Sequence, residues 1–514
     1  MSLLQLVWFL APTVALCSQQ HQLFQTHLPA YQSRFLSGDD NVDRWTDQHT
    51  WDAVLKNVRI IVSTHAVLLD ALTHGFVSVR KLALLIFDEA HHCTQSHPAN
   101  QIMQKFYQPL LRSGSRHNLP GVLGLSASPV INAKARGLET IEWNLNAITK
   151  SPKVHRTELL QHVHQPQLIR VVYSTTLTMD TAQPVSSKLH SLRSLYVGLD
   201  IMQDPYVMDL SKSTDHEART RLQNVILNRK TYCQEQIRLL YVGAERIFQE
   251  LGRGMCDWYI EQCISRLQHL LTKADVQLLD WTDSERMYLQ DKLRQIAIDN
   301  LPNNPTCEIG SYGYIEPKHL APKCKALRDI LIVEAHPGFT GLVFVEQRAV
   351  VVALAHFFNS DPELRAAYRV GTFVGTSQSL KRKRHVVDLV DPKNQQQTLE
   401  DFRNGNKNLI IATNVLEEGI DVSTCNIVIC FDPPKNLKSF IQRRGRARKQ
   451  QSKYVIMLSG DSMVSADPDR WQELEQTMRE AYLNDLREIK TAEERELQED
   501  EGERSLQIKT TGLV

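Results

Sequence analysis

The sequence predicts an α/β protein in which two parallel-sheet units flank an all-helical insertion. Three observations predict this. Short apolar runs alternate with helical stretches up to about residue 150, strand signals fade from about 151 to 320, and the alternation returns from about 321 to 460.

In the first unit, Val7–Leu10, Arg59–Ser63, Leu82–Asp88 and Gly121–Ser126 are compact apolar runs of the kind buried in parallel sheets. Helices are expected after Thr13, His65, Pro98 and Pro129. The run from Leu3 to Cys17 has no basic leader and is broken by Pro12-Thr13, so it reads as a buried strand entering a helix, not as a signal peptide. In the middle, Ile237, Leu240, Ala244, Ile247 and Leu251 repeat at three- and four-residue steps. Cys256 and Cys263 fall in register with Ile260, Leu267 and Leu270 and read as core thiols. Thr282 with Glu285 forms a capping box ahead of Leu289, Leu293 and Ile296. Leu301–Pro305 reads as a linker. The second α/β unit is expected to carry strands at Gly341–Val345, Arg369–Val374, Leu409–Thr413, Ile427–Phe431 and Tyr454–Leu458, and helices at Ala349–Phe358 and Gln396–Arg403. The last fifty residues read as helical with alternating charge, closing on the acidic tract Glu499–Glu503.

A chain of 514 residues is too long for one core, and 42% hydrophobic with 23% charged residues is ordinary for a soluble protein. The net charge of +1 excludes a strong overall field, so any nucleic acid must be held by local basic strips. Two exist: Lys381–Arg384, which also fits a solvated loop, and Arg443-Arg444 with Arg446, Arg448 and Lys449. Nine cysteines without a CxxC pair suit a reducing compartment and argue against zinc or a disulfide framework; a cytoplasmic location is expected, with a nuclear one the alternative. No apolar run is long enough to cross a bilayer, so no membrane partner is expected.

Three patterns carry chemistry. Asp88-Glu89 ends a hydrophobic strand, where ligands bind in parallel sheets. Asp88 there suits Mg²⁺ held through water, and Glu89 suits a water attacking a γ-phosphate; two acids that merely cap the next helix are the plainer alternative. Gln442-Arg443-Arg444-Gly445-Arg446-Ala447-Arg448 follows a helical segment and suits a phosphoryl group in transit, or else a basic surface patch. Thr413–Asp421 follows a buried strand and suits a phosphate backbone at Thr413, with Gly419 and Asp421 near a nucleotide, or else a simple acidic loop.

The order of these elements resembles a superfamily 2 helicase. Asp88-Glu89-Ala90-His91 is similar to motif II of the DExH type, Ser126-Ala127-Ser128 to motif III, and Ala11-Pro12-Thr13 with Gln19-Gln20 to motif Ia. Ser63-Thr64-His65 resembles the next nucleic-acid contact, Gly341–Val345 motif IV, Val374-Gly375-Thr376 its following loop, Thr413–Asp421 motif V and Gln442–Arg448 motif VI. The long helical insertion is similar to that of Dicer helicase domains and innate immune RNA-sensor helicases, and the wording around Ser151–Leu159 looks most like fungal Dicer-like proteins of the second type.

That resemblance implies a partial RecA-like domain over 1–150, a helical insertion over 151–320, a second RecA-like domain over 321–465 and a helical, acidic extension over 466–514. It implies ATP and Mg²⁺ as cofactors and double-stranded RNA as partner, in RNA silencing and antiviral defence. Double-stranded-RNA-binding proteins are further expected partners, and ribonuclease III domains are expected only in a full-length relative. Asp88 and Glu89 become the metal and water residues, while His91, Ser126 and Ser128 couple hydrolysis to movement. Gln442, Arg446 and Arg448 face the triphosphate, with Lys449 the alternative under another motif spacing. Pro12, Thr13, Thr64, Gly375, Thr376 and Thr413 touch the RNA backbone, reading shape more than sequence.

One element of the pattern has no counterpart: Gly-x-x-x-x-Gly-Lys-Ser/Thr occurs nowhere. The strand bearing that loop belongs inside the first sheet, so its neighbours are expected to expose an edge and apolar faces. The expectation is then no ATP hydrolysis by residues 1–514 alone and a weakly stable first domain, with the insertion and second domain folding independently. A non-catalytic RNA-binding module and a DNA-repair DExH helicase remain the other two readings.

Overall fold

β1, Leu6–Ala11, is apolar at every position, with Trp8, Leu10 and Ala11 fully enclosed. Such a strand needs cover on both faces, and in the computed structural model it lies in the middle of a parallel five-stranded sheet. The structure describes residues 6–37, 45, 47–113, 119–126, 135–150, 158, 164–174, 186–272, 282–298, 320–375, 386–387, 389, 395–417, 422, 424–460 and 471–476. The other strands of this sheet are β2 Ser33–Leu36, β3 Ile60–Thr64, β4 Leu82–Asp88 and β5 Gly121–Leu125, in the order β2-β3-β1-β4-β5. Register runs Val7 to Ile60 and Ala11 to Thr64 on one side of β1, and Val7 to Leu84 and Leu10 to Phe87 on the other. The buried Trp8 indole donates to Ser63 Oγ at 2.9 Å, which fixes β1 against β3. The strands follow the apolar runs closely. β2 had no such signal, being short and half-exposed.

The second sheet holds six parallel strands in the order β6-β11-β10-β7-β9-β8. They are β6 Gln167–Tyr173, β7 Gly341–Phe344, β8 Val370–Phe373, β9 Leu409–Ala412, β10 Ile427–Cys430 and β11 Lys453–Ser459. β6 corrects the sequence reading, which made 151–320 wholly helical. Its residues pair with β11 from Gln167–Lys453 to Tyr173–Ser459, so the chain founds its second sheet before entering the insertion. β6 is a partly exposed edge whose partner lies far along the chain, and no local pattern reveals that pairing.

The insertion is helical as expected from Ser187 on. The helix Tyr232–Leu251 buries Ile237, Leu240, Ala244, Ile247 and Leu251, and Arg253–Thr272 buries Cys256, Ile260, Cys263 and Leu267. The capping box at Asp283–Ile298 is reciprocal: Thr282 N–H donates to Glu285 Oε2 at 2.9 Å, and Glu285 N–H to Thr282 Oγ1 at 3.2 Å. These helices do not make a core of their own. Ile247, Cys263 and Leu289 belong to the same buried cluster as Leu354, Phe357, Ile429 and Val455 of the second unit. Trp258 stacks on His356 of the helix Arg348–Ser360, ring centres 3.9 Å apart and planes within 4°. Insertion and second unit therefore share one buried core.

The first unit keeps a separate core around Trp8, Trp51, Leu85 and Phe87. The helix Ala135–Leu145 bridges the two, burying Ile141 and Leu145 in that core and Leu138 against the second sheet. All eight cysteines among the described residues are buried free thiols. No helix among them is long and apolar enough to cross a membrane. The linker Leu301–Pro305, the basic run Lys381–Arg384 and the acidic tract Glu499–Glu503 lie outside the described residues.

Candidate active site at the carboxyl ends of two parallel sheets

β4 ends on Asp88, half-buried where the parallel strands deliver their carboxyl ends. Glu89 then turns the chain through a left-handed conformation, φ 50°, which an L-residue adopts only at a cost. Its own N–H donates to Asp88 Oδ1 at 3.0 Å. Burial, and then the charge of Glu89, raise the Asp88 carboxyl to about 6. A divalent cation there would reverse that balance.

The turn places His91 fully buried beneath the acids. Its Nδ1 sits 3.2 Å from Glu89 Oε2 and 3.1 Å from Ser126 Oγ, at the end of β5. Burial is the main cause that lowers its basicity; the Lys438 ammonium reinforces this and the Glu89 hydrogen bond opposes it. Lys438 belongs to the helix Leu437–Arg444 of the second unit, so that helix comes within electrostatic range of His91. β5 approaches the turn so closely that a Cβ on Gly124 would lie 2.9 Å from Ala90 and 3.0 Å from Leu145.

On the far side, Arg443 is the buried arginine. Its Nε donates to Glu417 Oε1 at 2.6 Å and its Nη1 to the Asp432 carbonyl at 2.8 Å. Arg446 Nη2 donates to the Glu417 carbonyl at 2.9 Å. Arg448 is exposed and folds back on Gly445 O at 2.7 Å. Lys449 instead reaches Gly338 O and Asn426 Oδ1, at the amino ends of β7 and β10. Gln442 is buried, and its Oε1 and His91 Nε2 have no protein partner. The motif thus holds a buried anchor, Arg443, a guanidinium tied to the Glu417 carbonyl, Arg446, and one buried oxygen left for a ligand, Gln442 Oε1. The reading by residue type missed Arg443, Glu417 and Lys438, because only the packing of their helix shows which positions point inward.

The backbone-contact candidates line the same strand ends. Thr13, after β1, caps the helix Val14–His27 through Leu16 N–H at 3.2 Å, with Pro12 beside it half-buried. Thr64, the last residue of β3, makes no side-chain cap bond to the helix that follows. Gly375 N–H donates to Thr413 Oγ1 at 3.3 Å, joining the ends of β8 and β9. A Cβ on Gly375 would lie 2.6 Å from Val415 Cγ2, so any other residue would force Val415 to shift. The Arg348 guanidinium holds Gly375 O. Ser128, Thr376, Gly419 and Asp421 lie outside the described residues.

Known proteins can be set beside this geometry. The DEAD/DEAH box helicase family model matches residues 5–135, and the helicase conserved C-terminal domain matches 322–450. The chain carries both helicase domains in that order. Dicer-like protein 2 of Phaeosphaeria nodorum is 48% identical over 99% of this chain and 36% of its own length. That of Neosartorya fischeri is 44% identical over the same shares. The chain therefore spans about a third of the length of these curated relatives. Among solved structures, the Pyrococcus furiosus Hef helicase domain aligns over 91% of this chain and 89% of that one, at 18% identity and a TM-score of 0.42. The family uses ATP with Mg²⁺. Asp88 here fits one carboxylate holding Mg²⁺ among waters, and the unpartnered Gln442 Oε1 fits a ligand between the units. Bound there, the ion would supply charge neutralisation; Glu89 would orient water and Arg446 would face the phosphates.

Proposed function

We propose that this chain is the motor portion of a Dicer-like protein, gripping double-stranded RNA and coupling that grip to ATP hydrolysis in RNA silencing and antiviral defence in the cytoplasm. The observation that carries the reading is His91, held between Glu89 and Ser126 and facing Lys438 of the arginine-bearing helix. A group so placed feels both the water-orienting acid and the approach of the second unit. Thr13, Thr64, Gly375 and Thr413 stand along the strand ends as backbone contacts. The names of the fungal relatives support RNA as the substrate.

Hydrolysis also needs amides and a lysine on the β- and γ-phosphates, and residues 1–514 contain no Gly-x-x-x-x-Gly-Lys-Ser/Thr. Asp88 and Glu89 cannot replace them, being negative groups facing a negative ligand. A second reading, an RNA-binding module without turnover, is favoured by the absence of that phosphate-binding motif from residues 1–514. ATP hydrolysis with saturating duplex RNA separates the two. Residues 1–514 alone are expected to be inactive. The same chain preceded by the phosphate-loop segment of a Dicer-like relative should turn over, Glu89→Gln should abolish it, and Arg446→Ala should lower it roughly a thousandfold while RNA binding survives. Clear turnover by 1–514 alone, abolished by Glu89→Gln, would overturn the proposal that it lacks a phosphate cradle. An Arg446→Ala variant that loses RNA binding at unchanged turnover per complex would make the cluster a nucleic-acid patch.

A further inference from the structure

One buried charge cluster joins the insertion to the second unit, and no role assigned above uses it. Asp432, just beyond β10, lies almost wholly out of solvent. Its Oδ1 accepts from Lys323 Nζ at 2.7 Å and from Arg246 Nη2 at 3.3 Å, and its Oδ2 from Glu346 N–H at 2.7 Å. Glu250 closes the cluster, with Oε1 2.8 Å from Lys323 Nζ and 2.6 Å from Arg246 Nη2. The Lys323 ammonium also lies 3.9 Å above the Phe431 ring. Arg246 and Glu250 sit one turn apart on the insertion helix Tyr232–Leu251.

The path continues toward the arginine motif. The Asp432 carbonyl accepts from Arg443 Nη1, Arg443 Nε donates to Glu417 Oε1, and the Glu417 carbonyl accepts from Arg446 Nη2. Every link is a charged or backbone group within hydrogen-bond distance. Stability alone would not select this arrangement, since apolar packing usually replaces buried ion pairs without loss. Two buried atoms of the cluster, Arg246 Nε and Glu250 Oε2, even go without a partner.

We propose that Asp432 is a positioning residue: it ties the orientation of Arg443 and Arg446 to the insertion helix through Arg246 and Glu250, so that the insertion's placement sets the arginine motif. This rests on the reading of that motif as the phosphate-facing part of the motor.

Regional hydrogen exchange on residues 1–514 tests it without requiring turnover. Arg246 is about a third exposed, so Arg246→Gln should fold; Glu250→Gln is an isosteric second variant. Both should speed amide exchange in 414–417 and 437–446 by about tenfold, a typical coupling between sites, while β7 and β9 stay protected. Arg246→Lys should restore protection. Faster exchange confined to the helix Tyr232–Leu251, spread evenly through the second sheet, or absent would each overturn the proposal. Failure of the motor reading would appear separately, as loss of RNA binding or of turnover with the exchange pattern intact.

Discussion

Burying Arg443 beside Glu417 leaves neither charge a route to water, so removing one partner strands the other. Glu417→Ala should lower stability by about 3–5 kcal/mol, read as a shift in the denaturant midpoint of the second unit. A change within experimental error would show that the Asp432 carbonyl suffices as partner. His65 gives a pH prediction. Its ring is buried, stacked on Phe87 and edge-on to His97; burial first, then His97 and His92, push its basicity down to about 3. The folded state keeps it neutral while the unfolded chain protonates near 6.5, so stability from this residue is whole above 6.5 and drains away as pH falls. Between pH 6.5 and 5 the loss should be about 2 kcal/mol, read by chemical unfolding, and His65→Leu should flatten that slope. A slope unchanged in His65→Leu would refute it. The placement of Asp88 at the end of β4 was legible in the sequence, because a charged pair ending a buried strand is a local pattern. Which arginine faces inward was not. Arg443, Arg446 and Arg448 share a chemistry, and only packing against Glu417 distinguishes them.

At the scale of elements, periodicity located nearly every buried strand and the long insertion helices. It failed at β2 and β6, whose half-exposed faces blur the alternation and whose partners are distant in sequence. β5 shows the opposite case, a strand found correctly but left on an edge. It pairs with β4 alone among the described residues, and it exposes Leu123 and Leu125. An uncharged, apolar open edge recruits other chains. Replacing Leu123 and Leu125 together by lysine should slow association in concentrated solution, measured by light scattering over time. Because both side chains are exposed, stability should change by only about 0.5 kcal/mol. Unchanged scattering would show that this edge is not the sticky one. Beyond the second sheet, residues 471–476 pack Trp471 near Phe440 and pair Glu475 with Arg444 at 2.6 Å. That adds a further hold on the helix carrying the arginine motif.

For the whole molecule, two units meet through Lys438, His91 and the helix Ala135–Leu145, while the insertion is built into the second unit. The surfaces that would meet nucleic acid are strand ends carrying hydroxyls, a glycine and backbone amides, together with basic strips on a chain of net charge +1. Such contacts read phosphates and duplex shape, and the shallow groove of an A-form helix with its 2′-hydroxyls favours RNA. The two parallel sheets were legible from the alternation of apolar runs and helices, but the sharing of one core between insertion and second sheet was not, since that depends on three-dimensional packing of segments about a hundred residues apart. The central claim, that this is a double-stranded-RNA motor module, meets its most direct test in competition binding. Labelled duplex RNA is displaced from residues 1–514 by unlabelled duplex RNA or DNA of the same sequence, at two salt concentrations. Duplex RNA should compete well and duplex DNA poorly, with affinity falling steeply as salt rises. Equal competition by duplex DNA would contradict the account and favour a DNA-repair helicase.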